Sequence, residues 1–456
     1  MPLRVALAQH PPVTAPKASL SHRLETLAYR AFGGLLGLLP MDSCVTLGEL
    51  LGSLAHALTP GYRRLVRRNL RIATAAEPMT DAALDALVRE TFRRAGGNFL
   101  ASLKTESMPT ADLAHHFDAT ALASVRPGTV LAMAHMGNWE ALPRLASLIL
   151  PSGSYGGVYR PLNNPLLDTL TRERRTSGGA RLFSRMDGFH TPAAFLKEGG
   201  ILGVLADHRA GARGFTMPFF GKLTTCSPLP DLLARRSKSH IATLHTRATS
   251  TGKWSLVVKP LPSATTTPGI MAGIESMMRA EIADVFWFHD RWKIDSLNPL
   301  SLYTRLDPAT ARCATVPLRL LLTTPPDADE TGVQAMLHGM LELRPDLRID
   351  RLAAPAAESR DPRVILHPWD RDAPPEHAEA LLRRIDAAHP APLDGVLLFG
   401  SEPPLARAAR AAGHRCIIGI NVAGKPWSRS LTLPKGIDEW AAVAHELCWI
   451  PDRYRS

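Results

Sequence analysis

Short apolar runs alternate with amphipathic segments from residue 129 onward, and this alternation constrains the fold more than any other feature of the chain. The runs are TVLAMA, YGGVYR, ARLFS, ILGVLAD, HIATLHTRA and SLVVKPLP, and helical patterns such as NPLLDTLTRERRTSG and TPAAFLKEGG separate several of them. Strands that alternate with helices usually form a sheet covered by helices. We therefore predict an α/β core over residues 119–300.

The residues before this core have helical patterns. MTDAALDALVRETFRRAGGNFLASL spaces its apolar residues three and four apart, with Thr80 or Asp81 as a suitable N-cap. Two earlier apolar stretches, separated by Pro40 and Asp42, are each shorter than the ~20 residues of a membrane-spanning helix. Arginines follow at positions 63, 64, 67, 68 and 71. Residues 1–118 are thus expected to be either a helical membrane-surface region or a helical subdomain with solvated arginines.

A second, smaller α/β pattern follows a weakly periodic stretch, residues 301–316, which is expected to be a linker. Its apolar runs are LRLLLTT, LRIDRLAA, RVILHP and LDGVLLFG, and a helical pattern lies at DETGVQAMLHGMLELRP. Residues 317–456 are therefore predicted to form a Rossmann-like domain, so the whole chain belongs to the α/β class.

Charge and cysteine content narrow the partners and the compartment. The formal charge of +11 suits anionic lipid headgroups, phosphorylated substrates, acidic carrier proteins or nucleic acid. Aromatic residues make up only 6%, and no basic run is interleaved with Phe or Tyr, so a nucleic-acid partner is not expected. The five cysteines are scattered singly, which indicates neither a zinc site nor a disulfide framework and fits a reducing cytoplasm. The N-terminal residues lack the features of a secretory signal.

The stretch VLAMAHMGNWEALPRLASLIL, residues 130–150, places polar residues between a predicted strand and a predicted helix. If His135 ends the strand, Gly137 gives the turn its freedom, Asn138 caps the helix, and Glu140 lies in its first turn. On one continuous helix the two side chains would point about 140° apart, but a turn lets them meet. A carboxylate that orients an imidazole leaves one ring nitrogen free to deprotonate a substrate hydroxyl. The alternative is a histidine that merely caps the sheet edge.

The residues around this junction resemble the bacterial lipid A late acyltransferases, the lauroyl and myristoyl transferases of the glycerolipid acyltransferase superfamily. HMGNWE is similar to their His-four-residues-acid motif. Four further blocks follow in the family's order: GVYRPLNNPLLDTLTRERRTSGG, FLKEGGILGVLADHRAG, GFTMPFFGKLTT and FWFHDRWK. The resemblance covers roughly residues 20–298.

Two segments depart from the family's pattern. TTCSPLP inserts Pro228 and Pro230 where a glycine-opened helix is expected, and IADVFWFH has Ala283, Asp284 and Val285 in place of a Pro-Glu-Gln-like turn. Because His135 and Glu140 are both present, these departures bear on acceptor or acyl-chain preference more than on the chemistry.

The resemblance implies acyl transfer from an acyl carrier protein or coenzyme A thioester to a hydroxyl of a membrane glycolipid, lipid A or a precursor. It implies His135 as the general base and Glu140 as the residue that orients it. Arg160 is the expected cation for the oxyanion or for acceptor phosphate, the alternative being a structural salt bridge. Apart from the acyl thioester co-substrate no cofactor is expected, and no metal. The expected location is the cytoplasmic face of the inner membrane, with peripheral or monotopic attachment.

Several other residues are expected to contribute to substrate binding. Asp207, at a predicted strand end, is expected to pair with Arg160 or His135, or to serve the scaffold. The arginines of one predicted helix form either a patch for phosphate or carrier protein or a solvated face. The full set of substrate-binding candidates is Gly137, Asn138, Arg160, Asn164, Arg172, Arg175 and Asp207. Phe219 and Phe220 are expected either to wall an acyl channel or to pack in the core. The histidines not expected to be catalytic are His208, His240, His245 and His289.

The C-terminal region resembles the first half of a heptosyltransferase-type glycosyltransferase, without the half that binds nucleotide sugar. It is therefore expected to be a truncated domain without catalysis of its own, which helps to bind glycolipid or a partner enzyme. Two other hypotheses remain open. One is a non-catalytic glycolipid-binding or assembly protein, and the other is a glycosyltransferase acting through the C-terminal domain.

Overall fold

The computed structural model describes residues 18–184, 188–301, 308–353, 359, 361–369, 374, 376–400 and 402–448. The helices of the N-terminal part are α1 (Leu20–Gly37), α2 (Met41–Leu58), α3 (Pro60–Ala73), α4 (Asp81–Ser107), α5 (Thr110–Leu113), α6 (Leu142–Ala146), α7 (Pro165–Thr176), α8 (His190–Lys197), α9 (Leu229–Ser237) and α10 (Thr267–Ala280). Its strands are β1 (Phe117–Asp118), β2 (Thr129–Met133), β3 (Tyr155–Tyr159), β4 (Arg181–Ser184), β5 (Ile201–Leu205), β6 (Phe215–Phe219), β7 (Lys222–Cys226), β8 (His240–Ser250) and β9 (Lys253–Pro260).

A seven-stranded sheet organises the first domain, in the order β1-β9-β8-β2-β5-β3-β4. Its strands run parallel except for the β8–β9 pair, so the sheet is mixed. All six apolar runs between residues 129 and 260 are strands, as predicted. The two-residue strand β1 lies inside the region that was expected to be helical, and it was not predicted.

The two faces of this sheet bury different cores because side chains alternate along each strand. On β2, Val130 and Ala132 join one core together with aromatic residues of the segment after α10, whereas Leu131 and Met133 face the other. On β5, Ile201 faces the same side as Leu131. Helices cover both faces, which is why the central strands read as nearly continuous apolar runs.

The block GFTMPFFGKLTT forms an antiparallel hairpin, β6–β7, which was not predicted. Phe220 and Gly221, with φ of 51° and 75°, form its two-residue turn, which has the positive φ values of a type I′ hairpin. Phe219 and Phe220 are almost fully buried in the main core, so the structure favours core packing over an acyl channel for both. Helix α9 begins at Leu229 with Pro230 in its first turn, where the missing N–H leaves no intrahelical bond unmade.

Helices α2 and α4 pack with their backbones unusually close. A Cβ added to Gly48 would lie 2.3 Å from the carbonyl oxygen of Gly96, and one added to Gly52 would lie 2.2 Å from that of Phe92. Helix α4 starts at the predicted cap, where the Thr80 hydroxyl accepts a hydrogen bond from the backbone N–H of Ala83. Within the described residues, no helix combines the length and the apolar character needed to cross a membrane.

The second domain contains a six-stranded, fully parallel sheet in the order β12-β11-β10-β13-β14-β15. Counted within the domain, this is the Rossmann order 3-2-1-4-5-6. Its strands are β10 (Leu318–Thr323), β11 (Leu347–Ala353), β12 (Val364–Pro368), β13 (Gly395–Leu398), β14 (Cys416–Ile420) and β15 (Arg429–Leu431). The helices of this region are α11 (Pro308–Arg312), α12 (Glu330–Leu343), α13 (Glu376–Ala387), α14 (Pro403–Ala412) and α15 (Ile437–Glu446). Of the expected linker, residues 302–307 lie outside the described part of the chain.

A buried carboxylate joins the two domains. Asp394, just before β13, binds Arg68 of α3 at 2.7 Å and Lys222 of β7 at 2.8 Å. Arg71, one turn further along α3, pairs with Asp386 of α13. These arginines were expected to be either solvated or at a membrane surface, but their guanidinium groups bind carboxylates of the second domain instead.

Candidate active site

His135 lies just beyond the carboxyl end of β2, and its side chain binds a carboxylate from the neighbouring strand. Its Nδ1 is 2.8 Å from Oδ1 of Asp207, which follows β5. Because β2 and β5 are adjacent and parallel, the residues that follow both strands meet at one edge of the sheet. Asp207 was predicted to pair with either His135 or Arg160, and in the structure its partner is His135.

Glu140 does not occupy the orienting position expected for it. Its carboxylate accepts hydrogen bonds of 2.7 and 3.0 Å from Arg175 of α7. Among the described residues, Asp207 is the one whose side chain forms a hydrogen bond with the His135 imidazole. The motif does bring Glu140 near enough for its negative charge to favour protonation of His135. The sequence spacing predicted a hydrogen bond between His135 and Glu140, but in the structure the carboxylate bound to His135 is that of Asp207.

Burial and charge act in opposite directions on this histidine. Burial alone would lower the pKa of His135, but the charge and hydrogen bond of Asp207 outweigh it and hold that pKa above its usual value. Burial likewise opposes ionisation of Asp207, yet its contacts with His135 hold its pKa well below the usual range. The pair thus favours an ionised carboxylate beside an imidazole of increased basicity. Nδ1 faces the carboxylate, which leaves Nε2 as the nitrogen available for proton transfer.

Backbone contacts fix the turn after His135. The N–H of Phe286 donates to the carbonyl oxygen of His135 at 2.8 Å, and the N–H of Gly137 donates to that of Asp284 at 2.9 Å. Gly137 has a φ of +57°, and a Cβ there would lie 2.4 Å from Oγ1 of Thr246. Position 137 therefore requires glycine, because its φ is positive and a side chain would clash with Thr246. The hydrogen-bond partners of this turn come from IADVFWFH, the segment that departs from the family's pattern.

Asn138 is not the helix cap that the sequence suggested. It is fully buried, and its Oδ1 accepts a hydrogen bond of 2.8 Å from Ser102 of α4. A short 3₁₀ turn, Trp139–Ala141, precedes α6, and Asn138 makes no capping bond to it. Asn138 therefore ties the turn to α4.

The expected binding residues of the following segment take different positions. Asn164 caps α7 and donates its amide to the carbonyl oxygen of His22 in α1, so it is a buried structural residue. Arg160 is exposed just after β3, without a hydrogen bond or ion pair to the described residues. Arg172 is exposed and lies 5.7 Å from the ring centre of Tyr159. Arg175 is the arginine of this set that the structure brings to Glu140.

An apolar pocket opens beside Glu140 and Arg175. It contains about 830 Å³ of space, its open mouth included, and most of its lining residues are apolar. The floor of the pocket is one face of the sheet, lined by residues from β2, β3, β4 and β5. Its roof is the turn at Trp139 together with α6. Gly157 on β3 leaves the centre of the floor open, whereas the Met133 side chain lies over Gly203 on the adjacent strand.

Aromatic rings surround His135. The Trp139 ring, which also lines the pocket, meets it edge to face with a centroid distance of 5.4 Å. On another side, His208 stacks on His135 with ring centres 4.0 Å apart. His289 of the FWFHDRWK block stacks on His208. Neither histidine was expected to be catalytic, although His208 directly follows Asp207 and His289 belongs to a block of the resemblance.

Among the described residues, one group has potential ligand atoms close enough together to approach a single metal ion. It consists of His135, Asp207 and His208, whose ligand atoms lie within 4.8 Å of one another. An imidazole binds a metal through a lone pair in its ring plane. The two rings are only 11° from parallel, so their lone pairs point side by side instead of converging. The stacked arrangement therefore favours a hydrogen-bonded cluster over a metal site.

Comparison with known protein families gives one match. The family model described as "Bacterial lipid A biosynthesis acyltransferase" matches residues 14–294, well over half of the chain, and includes every residue of the site described above. A search of curated proteins gave no match.

We predict that Asp207→Asn lowers the pKa of His135 to below its ordinary value of 6.5. The amide keeps a side chain of the same shape but removes the negative charge, so burial becomes the dominant influence. The test is an NMR titration of the His135 ring signals, assigned by their loss in His135→Gln. The exposed Asp438→Asn variant in the second domain serves as the control. An unchanged His135 pKa in Asp207→Asn would contradict the assignment of Asp207 as its principal partner.

Proposed function

The chain belongs to the bacterial lipid A biosynthesis acyltransferase family and is therefore an acyltransferase, and we propose that His135 is the general base that activates the acceptor hydroxyl. The observation that carries this proposal is the placement of the His135–Asp207 pair beside an apolar pocket, with Trp139 in contact with both the base and the pocket.

In the proposed reaction, Nε2 of His135 takes the proton from a hydroxyl of the glycolipid acceptor. The hydroxyl oxygen then attacks the carbonyl carbon of an acyl thioester, and a tetrahedral oxyanion forms. Collapse of this intermediate breaks the C–S bond, and the leaving thiolate takes the proton back from His135. Asp207 holds the ring and stabilises the imidazolium in between.

We propose Arg175, rather than Arg160, as the cation nearest the developing oxyanion. Arg175 lines the pocket beside Glu140, whereas Arg160 is not among the pocket residues. Glu140 holds the Arg175 guanidinium at 2.7 Å and adds negative charge near the imidazolium. The exposed Arg160 and Arg172 suit acceptor phosphate or an acidic carrier protein. The acyl donor, a carrier protein or coenzyme A thioester, is part of the same proposal.

We predict that His135→Ala lowers the rate of acyl transfer by about 10²–10⁴-fold, because general-base catalysis typically contributes this factor. Purified protein is incubated with lipid A or its precursors and with isotope-labelled acyl carrier protein or acyl-coenzyme A, and the glycolipids are analysed by mass spectrometry. His338→Ala, at an exposed histidine of the second domain, is the matched control.

Different outcomes separate the competing hypotheses. Transfer by wild type that is lost in His135→Ala and kept in His338→Ala supports the acyltransferase mechanism. Transfer that persists in His135→Ala would reject this base. If wild type binds glycolipid but transfers acyl from neither donor, the non-catalytic binding hypothesis takes its place.

The apolar pocket is proposed to hold the acyl chain. Its centre is open because Gly157 has no side chain, and a Cβ added there would meet nothing closer than the carbonyl oxygen of Gly203 at 3.8 Å. A larger residue at this position can thus be built without a backbone clash, and its side chain would fill the floor of the pocket.

We predict that Gly157→Leu shifts acyl preference toward shorter chains. The measurement is a competition among acyl thioesters of different length, with product masses read for wild type and variant. Gly61→Leu on α3, where an added Cβ meets nothing within 4 Å, controls for the substitution itself. An unchanged distribution of chain lengths in Gly157→Leu would exclude this pocket as the acyl site.

We propose that α1 and α2 bind a membrane surface. Both helices expose leucines over much of their length, and a run of exposed apolar side chains of this kind marks an interaction surface. The exposed leucines of the two helices are Leu20, Leu24, Leu27, Leu35, Leu47, Leu50, Leu51, Leu54 and Leu58. We place this contact at the cytoplasmic face of the inner membrane, because cysteines scattered singly along the sequence, without a CxxC pair, are usual in a reducing compartment.

We predict that replacing Leu50 and Leu54 together by Asp weakens membrane binding at least tenfold. The two side chains are four residues apart on one exposed face of α2, so the charges should oppose insertion without disturbing the packing on α4. Flotation with vesicles of phosphatidylcholine and phosphatidylglycerol measures the binding. Equal flotation of wild type and double variant would reject this surface. The matched control replaces the exposed Leu433 and Ile437 of the second domain.

A further inference from the structure

Three imidazole rings form a column that starts at the base. His208 lies with its ring centre 4.0 Å from that of His135 and 11° from parallel. His289 lies 4.0 Å from His208 on the next level and 7° from parallel. The edge-to-face contact from Trp139 reaches His135 at an interplanar angle of 73°. The His135 ring therefore packs against the flat face of His208 and makes an edge-to-face contact with Trp139.

The far end of the column is anchored to the scaffold. The carbonyl oxygen of His289 accepts a hydrogen bond of 2.7 Å from the side-chain amide of Asn69 in α3. The neighbouring Asp290 pairs with Arg68, the arginine that also binds the buried Asp394 of the second domain. His289 is thus held in place by contacts that do not involve His135, so it can act as a fixed support for His208.

The middle ring has the properties of a neutral stacking partner. Nε2 of His208 is buried and makes no hydrogen bond to any described residue. Burial lowers the pKa of His208 to about 4, with Asp207 acting in the opposite direction. A neutral aromatic face beside an imidazolium is attracted to it, whereas a second cation would repel it. His208 thus accommodates the charge that His135 gains when it takes a proton.

We propose that His208 is a positioning residue: its ring, supported by His289, fixes the plane of His135 so that Nδ1 meets Asp207 and Nε2 faces the substrate. Without this face, the His135 ring could rotate about its side-chain bonds, and water would reach the Asp207 hydrogen bond. The inference rests on the proposed role of His135 as the base. It concerns the chemical step, so it predicts a change in kcat with little change in KM.

The charged and titratable groups around the column define what the test must hold constant. Asp207, Glu140 and Arg175 act on His135. Asp207 and Arg291 act on both His208 and His289, and Asp290 also acts on His289. Uncharged substitutions of a neutral His208 leave all of these charges in place. Differences among such variants therefore report the shape and the aromatic character of the side chain at position 208.

The experiment compares His208→Phe with His208→Leu and His208→Ala in the full-length protein, using the acyl transfer assay at saturating and subsaturating donor. Phe restores a flat aromatic face, whereas Leu fills a similar volume without one. We expect Leu and Ala to lower kcat by about fivefold to thirtyfold, the range of a cation–π contact at a desolvated site, with KM nearly unchanged. Phe should recover most of the lost kcat. His338→Ala again serves as the control.

Two results would overturn the proposal. If Phe is no better than Leu, the position requires only volume, or requires the imidazole itself, and the stacking role is wrong. If Leu and Ala both retain wild-type kcat, the column has no effect on the base. Thermal midpoints of all three variants show whether any loss of rate follows from unfolding. Absence of transfer in wild type would count against the proposed function itself, which keeps the two failures distinguishable.

Discussion

The hydrogen bond between His135 and Asp207 depends on a single constraint, the parallel pairing of β2 with β5. The two residues are 72 positions apart in sequence, yet each comes directly after one of two adjacent strands. A shift of one residue in the register of either strand would turn its apolar side chains to the wrong face and remove the contact. The same two strands also form part of the floor of the apolar pocket. The sheet register therefore sets the base and the pocket together.

Much of the fold could be predicted from periodicity, because buried strands and amphipathic helices leave strong local patterns. Six of the seven strands of the first sheet, the long helix α4 and the Rossmann-like second sheet all followed from such patterns. Strand β1 could not be predicted, because two residues carry no periodicity. The β6–β7 hairpin was missed because its turn uses Phe220 with a positive φ, a conformation more typical of Gly or Asn.

The candidate site could be located from the sequence, but its contacts could not all be assigned. The HMGNWE motif predicted His135 and Glu140 as site residues, and the spacing suggested a contact between them. In the structure the carboxylate that contacts His135 is that of Asp207. The pairing of β2 with β5 brings these two residues together although they are far apart in sequence. Asn138 and Asn164 were expected at the substrate, but both are engaged by neighbouring helices. His208 and His289 were passed over because a stacking contact leaves no trace in local spacing.

The carboxylate of Asp394, which lies outside the family match, binds basic residues inside it. The family match ends at residue 294, but Arg68 and Lys222, both inside it, direct their charges to a residue of the second domain. Removing one partner from a buried ion pair typically destabilises a protein by about 3–5 kcal/mol, a large fraction of the stability of an ordinary domain. The matched region has thus become thermodynamically dependent on its neighbour. Denaturation should proceed as one cooperative transition, and evolutionary loss of the C-terminal part would require compensating changes at both basic residues.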